Sequence, residues 1–262
     1  MRLKRLGATL FYALALPVVL IAVWFLATRS GTNGFTPEPV KLVQTFFQTW
    51  IGPAFLEDVV PSLTRLGLGL VGAIVVGILL GLVIGMSRFL RDLLEPLLEF
   101  FRAIPPPVLI PVLMLLMGIG DVMKVAVIVI GCMWPILLNT IDGVRATDPV
   151  LRETARSYGI GGLARVRYLI LPAAAPRIMT GVRQSLSVGL ILVVISEMFA
   201  AVSGLGYQIV VFQSTFKIPQ MWSGIVLLGI IGLLLALVFQ RVEHVVLRWY
   251  HGLREVENGG TR

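Results

Sequence analysis

Long apolar runs separated by short polar stretches make up most of the chain. They cover about residues 8–28, 62–86, 108–121, 122–138, 178–202 and 223–239. A helix needs about 20 apolar residues to cross a bilayer core. The pattern therefore predicts an all-α membrane protein with six transmembrane helices. The first run follows Arg2, Lys4 and Arg5, and no small-x-small cleavage site precedes Arg29, so it reads as a span and not as a removable leader. The third is short and is entered through Pro105-Pro106-Pro107 and Pro111, where proline breaks the helix and removes backbone donors. That entry is expected to pack within protein. The charged stretch Ser87 to Ala103 before it reads as an inner connection.

Three further segments have readable patterns. Gly69, Ala73, Gly77, Gly81 and Gly85 recur at every fourth position of the second run, a small-residue stripe that admits a close neighbouring helix. Residues 29–60 are turn-rich, with Lys41 to Trp50 predicted as a short amphipathic helix on the outer surface. The longest polar break in the C-terminal half is 148–172. There Asp148 suits an N-cap, Pro149 the first helical position and Gly159 a left-handed terminus, which predicts a short helix over 149–158. A turn at Gly161-Gly162 and a second short helix ending at Pro172 should complete a basic hairpin carrying Arg152, Arg156, Arg165 and Arg167.

Lysine and arginine counts orient the chain. With the N-terminus inside, 16 fall in cytoplasmic segments and four, Arg29, Lys41, Lys124 and Lys217, in outer ones. The bias predicts both termini inside and places the 141–177 loop in the cytoplasm. The tail from 241 follows, with residues 258–262 expected to be disordered. The chain divides into a first span with its outer loop (1–60), a core (61–240) and the tail (241–262).

Composition narrows the function. Of 262 residues, 57% are apolar and 14% charged, too apolar for a soluble domain of this length. The net charge of +8 reflects the inside bias, and aromatics are not interleaved with the basic residues, so no nucleic-acid partner is expected. One cysteine, Cys132, allows no disulfide or thiolate metal site, and His244 and His251 lie in the tail with no ligand constellation around them, so no metal is expected. None of Lys4, Lys41, Lys124 and Lys217 follows a glycine, so no phosphate-binding loop is present and this chain cannot hydrolyse ATP in that way. No catalytic constellation appears, and the chain is expected to be a non-enzyme.

Polar residues inside spans are costly and mark candidate pathway positions. The fifth run has the most, with Arg183, Gln184, Ser185, Ser187, Ser196 and Glu197. Ser196, Glu197, Gln184 and Asn139 are the pathway candidates, Glu197 having a buried structural hydrogen bond as its other reading. Arg183 and Glu197 are 14 residues apart, about 21 Å along a helix, so they cannot pair with each other. Arg183 is assigned a structural role, bonding loop carbonyls or a partner charge.

The spacing Glu153-Thr154-Ala155, three residues, Gly159, nine residues, Leu169-Ile170-Leu171-Pro172 resembles the EAA loop of ABC-importer permease subunits. The family pattern has Ala at the position of Thr154 and Ile at that of Leu169. Arg102-Ala103-Ile104-Pro105, Pro111 and Gly118-Ile119-Gly120 further resemble the nitrate/sulfonate/taurine branch. The resemblance covers roughly residues 60–250. It implies a type I importer fold in a bacterial inner membrane, with Glu153, Thr154, Ala155, Gly159, Leu171 and Pro172 contacting an ATPase. Glu153 and Gly159 are expected to dominate that contact, Gly159 because a side chain would clash or unsettle the turn. The implied partners are a second permease chain (a homodimer most simply, a paralogue otherwise), two ATP-binding subunits and an extracytoplasmic binding protein. No cofactor belongs to this chain; ATP and Mg belong to the ATPase. The implied solute is small and anionic or zwitterionic, with nitrate, bicarbonate, alkylsulfonates, taurine and vitamin precursors all open. An ion-gradient-driven secondary transporter is the alternative; it would show inverted repeats and a midplane charge pair or broken helices.

Overall fold

A computed structural model describes residues 2–29, 35–250 and 252. Every regular element among them is helical. Helix α1 is Arg2–Arg29 and α2 is Pro39–Trp50, where the outer amphipathic helix was expected. A π-helical turn, Phe55–Val59, leads into α3, Val60–Met86. Then come α4 (Arg88–Ala103), a 3₁₀ turn (Pro106–Leu109) and α5 (Ile110–Met117). Helix α6 is Asp121–Arg145, α7 is Pro149–Ser157 and α8 is Gly162–Arg165. A second π turn, Val166–Ile170, joins α8 to α9, Leu171–Ala200. Helices α10 (Leu205–Ser214) and α11 (Ile218–Val246) follow. The disorder expected for 258–262 lies outside the described residues.

Among the described residues, four helical stretches are long and apolar enough to cross a membrane: Phe55–Met86, Asp121–Arg145, Gly162–Phe199 and Ile218–Val246. Of α1, Ala15–Thr28 forms a shorter apolar helix. The expected third span, 108–121, is corrected. The chain is already helical from Arg88, and α4 meets the Pro106–Met117 segment at a bend of 85°. Ile104 and Pro105 are extended, since a residue before proline is pushed out of the helical region. Helices α6 and α11 run beyond the expected ends 138 and 239, because charged residues such as Asp142, Arg145, Arg241 and Glu243 continue them past the apolar runs, whereas α9 stops at Ala200, short of the expected 202.

The core is built on α6, which lies between α3 and α9. The small-residue stripe of α3 does what its spacing predicts. A Cβ on Gly69, Gly77, Gly81 or Gly85 would fall 2.4, 3.0, 2.5 or 2.9 Å from Ile128, Ile136, Thr140 or Val144. The constant offset shows that α3 and α6 run parallel in register. It also puts Ala73 level with Cys132, and both are fully buried. On its other side α6 receives α9: a Cβ on Gly143 would lie 2.9 Å from Ala174, and one on Gly181 only 2.7 Å from the Pro135 carbonyl. Close backbone approach here replaces the bulky interdigitation of soluble cores. Helix α2 is held to α11 by Trp50, whose indole N–H donates to Ser223 Oγ at 3.0 Å.

Pro61 and Pro172 explain the two π turns. In each case the residue before the proline donates to a carbonyl five back, Val60 to Phe55 and Leu171 to Val166. The wider turn accommodates a ring that would otherwise press on the preceding turn. At Pro172 this overturns the expected hairpin boundary. The second short helix does not stop there but runs on into α9 as one 38-residue stretch.

Candidate coupling loop and polar clusters

Helix α7 is capped at both ends by the predicted residues. Asp148 Oδ1 accepts from the Val150 N–H at 2.7 Å, and Pro149 takes the first helical position. At the other end Gly159 has φ +70°, the Gly159 N–H donates to Arg156 O at 3.0 Å, and the Ile160 N–H donates to Ala155 O at 2.8 Å. This pair of bonds, with glycine left-handed, closes the C-terminal turn. Within this chain a Cβ on Gly159 would meet nothing within 4 Å, so here it is the left-handed backbone of the turn that favours glycine.

Arg152 fastens α7 to the core. Its Nη2 donates to Val144 O and, at 3.3 Å, to Arg145 O, carbonyls of the last turn of α6. A cation there also meets the negative end of the helix dipole. Ala155 is buried against the protein, whereas Glu153, Thr154 and Gly159 face outward. Thr154 Oγ1 donates to Val150 O at 2.8 Å, so the departure from Ala is absorbed within the helix. Leu171 is partly exposed and Pro172 half-buried at the start of α9. An open cleft runs between α7 and α8, bordered by Arg152, Glu153, Arg156, Gly159 and Arg165. In the same segment Val150, Tyr158 and Leu163 are exposed by 66, 79 and 82%.

A second cluster lies at the opposite end of the same helices. Arg65 of α3 donates from Nη1 to Glu197 Oε1 of α9 at 2.6 Å and from Nε to Asp121 Oδ1 at 2.8 Å. Its guanidinium also reaches Ser203 O at 3.0 Å. Ser62 Oγ lies 2.7 Å from Glu197 Oε1 and accepts from the Leu205 N–H at 2.9 Å. The Gly206 N–H donates to Glu197 Oε2 at 3.0 Å, and the Gly204 N–H to Asp58 Oδ1 at 2.9 Å. Glu197 is therefore fully buried with both oxygens satisfied. Asp121 Oδ1 also stands 3.5 Å from Lys124 Nζ.

The four pathway candidates separate. Ser196 is fully buried and donates to Val193 O of its own helix at 2.9 Å, beside the enclosed Glu197. Asn139 and Gln184 have open edges, and Asn139 Nδ2 donates to Gln184 Oε1 at 3.3 Å and to Pro135 O at 2.8 Å. Arg183 finds a partner charge: it donates to Glu243 of α11 and lies over the Phe239 ring, 5.9 Å from its centroid. Sequence reasoning missed the Arg65 cluster. Its trace was an arginine and a lone carboxylate near the same ends of their apolar runs, each needing a partner at that depth.

Apolar helices long enough to cross a membrane, joined along small-residue seams, define a multi-pass membrane protein. The chain belongs to the family described as binding-protein-dependent transport system inner membrane component, whose model matches residues 73–251. It is 29% identical over 238 residues to the putative aliphatic sulfonates transport permease protein SsuC of Bacillus subtilis, covering 90% of this chain and 86% of that one. It is 29% identical to the taurine transport system permease protein TauC of Escherichia coli, covering 90% and 88%. The nitrate import permease protein NrtB of Synechocystis is also 29% identical, covering 89% and 88%. The fold is that of a chain from the inward-facing MetNI methionine ABC transporter, with TM-score 0.61, 22% identity and coverage of 72% of this chain and 94% of that one. The chain is thus a permease component of an ABC importer in the sulfonate/taurine/nitrate branch, and a multi-pass inner-membrane protein.

Proposed function

We propose that this chain, paired with a second permease chain, forms the pathway by which a small anionic or zwitterionic solute enters the cell, driven by ATP hydrolysed in separate subunits. Both termini and the α7 knob face the cytoplasm in this reading, and α1, the broken α4–α5 segment and the four long helices make six passes. Two ATP-binding subunits, holding ATP and Mg, grip α7 through Glu153, Thr154 and Gly159. An extracytoplasmic binding protein delivers the solute to the face bearing α2 and α10. Asn139 and Gln184 line the pathway, with Ser196 and Glu197 in the wall behind its outer end.

The observation that carries this reading is the α7 knob, which is capped at both ends, tied by Arg152 to the end of α6 and continuous through α8 with α9. A force on α7 reaches the two helices that form the core. The named solutes of the relatives set the substrates to try first. The test is reconstitution of the chain with its ATPase and binding protein in proteoliposomes, followed by uptake of taurine, an alkanesulfonate and nitrate. Uptake of one of them that requires both ATP and the binding protein is expected. Uptake without the ATPase, driven by an ion gradient alone, would overturn the reading.

A further inference from the structure

We propose that the charged side of α4 lines a water-filled vestibule in the inner half of the membrane, at the cytoplasmic end of the pathway. The inference rests on the permease reading above.

Helix α4 climbs antiparallel along α6. From its start upward, Arg91, Glu95, Glu99 and Arg102 line one groove with Asp142 and Arg145. Higher up, Leu94 and Leu98 join the small apolar cluster of Leu137 and Ile141. Higher still, Phe101 stacks on Trp134 with ring centroids 6.2 Å apart and planes at 13°. Pro106 then lies against Gly131, close to the bend into α5. Trp134 stands ten residues above Val144, which is level with Gly85 at the inner end of α3. That is a rise of about 15 Å from Val144, and it places Trp134 inside the apolar run that ends at 138. Glu99 and Arg102 flank Phe101 and so reach that depth.

At 100° per residue, α4 has three sides. Leu90, Leu94 and Leu98 are half-buried against the bundle. Phe89, Leu93, Leu97 and Phe100 form an apolar side exposed by 50% or more. Asp92, Glu95, Glu99 and Arg102 form the third side, about 120° from either of the others. There Arg102 Nη2 lies 2.6 Å from Glu99 Oε2, and both side chains are more than half exposed. An open ion pair at the depth of the apolar run is not tolerated among acyl chains, and charges within the membrane face water or protein interiors. The apolar side suits lipid; the charged side requires water. A straight, fully apolar third span would not need this division, which accounts for a charged helix between two spans.

The test is cysteine accessibility in the assembled transporter, in inverted membrane vesicles, on a Cys132→Ser background. Single variants Asp92→Cys, Glu95→Cys and Glu99→Cys report the charged side; Leu93→Cys and Leu97→Cys report the apolar one. The probe is a membrane-impermeant sulfonatoethyl methanethiosulfonate, and remaining thiols are counted by a maleimide–polyethylene glycol gel shift after SDS denaturation. The charged-side cysteines should react at least tenfold faster than the apolar-side ones. Equal rates, faster reaction at Leu97→Cys, or protection of both sides, as a covering second chain would give, would overturn the vestibule. Should Glu99→Cys fail to insert, Asp92→Cys and Glu95→Cys read the same side. Labelling needs no transport. Expected labelling without uptake therefore counts against the permease reading alone, and uptake with a protected charged side counts against the vestibule alone.

Discussion

Arg65 and Glu197 stand 132 residues apart in the chain and meet at 2.6 Å, with the glutamate fully buried. The contact ties α3 to α9 across the end of α6, and Ser62, Ser203 and the Gly206 N–H complete it. Breaking one half of a buried pair costs more than the pair contributes, because the other charge stays buried without compensation. Glu197→Gln should therefore destabilise the fold by about 3–5 kcal/mol. Arg65→Lys should be nearly as damaging, since an ammonium cannot span Glu197, Asp121 and Ser203 together. Thermal aggregation in detergent, followed by fluorescence-detected size exclusion, checks both. Wild-type melting of Glu197→Gln would show that the pair is dispensable.

Two of the positive-φ glycines, Gly204 and Gly159, separate stability from coupling. Gly204 has φ +124°, and a Cβ there would lie 2.4 Å from the Glu197 carboxyl carbon. Gly204→Ala should thus be as destabilising as loss of the ion pair. Gly159, at φ +70°, has open space around it. Gly159→Ala should cost only about 1–2 kcal/mol, the strain of a left-handed alanine, and Gly159→Asn less, because asparagine visits that region more readily. Insertion should survive in both, while uptake per ATP hydrolysed falls more for Ala than for Asn. An equal loss for Ala and Asn would point to steric contact with the ATPase instead of the backbone turn.

How far these features could be read from the sequence depends on whether they are local. The Asp148 and Gly159 caps and the Gly69–Gly85 stripe depend on neighbours a few residues away, and each stands where its spacing put it. The stop at Pro172 failed because proline was read as a terminator, whereas a π turn over Val166–Ile170 lets the helix run through it. Helix α4 was read as a connection because charge was taken to mean a loop, although its charges occupy one side of a helix. The Arg65 cluster depends on contacts between distant segments, which no local spacing encodes.

The α3–α6 seam offers a graded test of register. A Cβ on Gly81 would fall 2.5 Å from Thr140 Cβ and 2.9 Å from the Leu137 carbonyl, so neither a rotamer change nor a small shift makes room. A Cβ on Gly67 meets nothing within 4 Å. Overpacking of this kind costs about 1–3 kcal/mol. Gly81→Ala should lower the melting temperature clearly and Gly67→Ala should not. If the two behave alike, α3 does not approach α6 along this face.

Arg183, in the middle of α9, forms an ion pair with Glu243 near the C-terminal end of α11. The Arg183 side chain is 58% exposed and Glu243 19%, so solvent screens the attraction and the pair should contribute less than about 1 kcal/mol to stability. Stacking of the guanidinium on Phe239 adds a contact that survives loss of the carboxylate. Glu243→Gln should therefore leave melting almost unchanged. Arg183→Glu is a different case, because it sets two carboxylates face to face and removes the cation from the aromatic ring. That variant should lose stability, and adding Glu243→Arg should restore most of what repulsion took but not the stacking on Phe239. Melting temperatures of the two singles and the double complete the cycle. Full recovery in the double variant would show that the ring contact contributes nothing, and no recovery would show that the two charges do not meet in the assembled transporter.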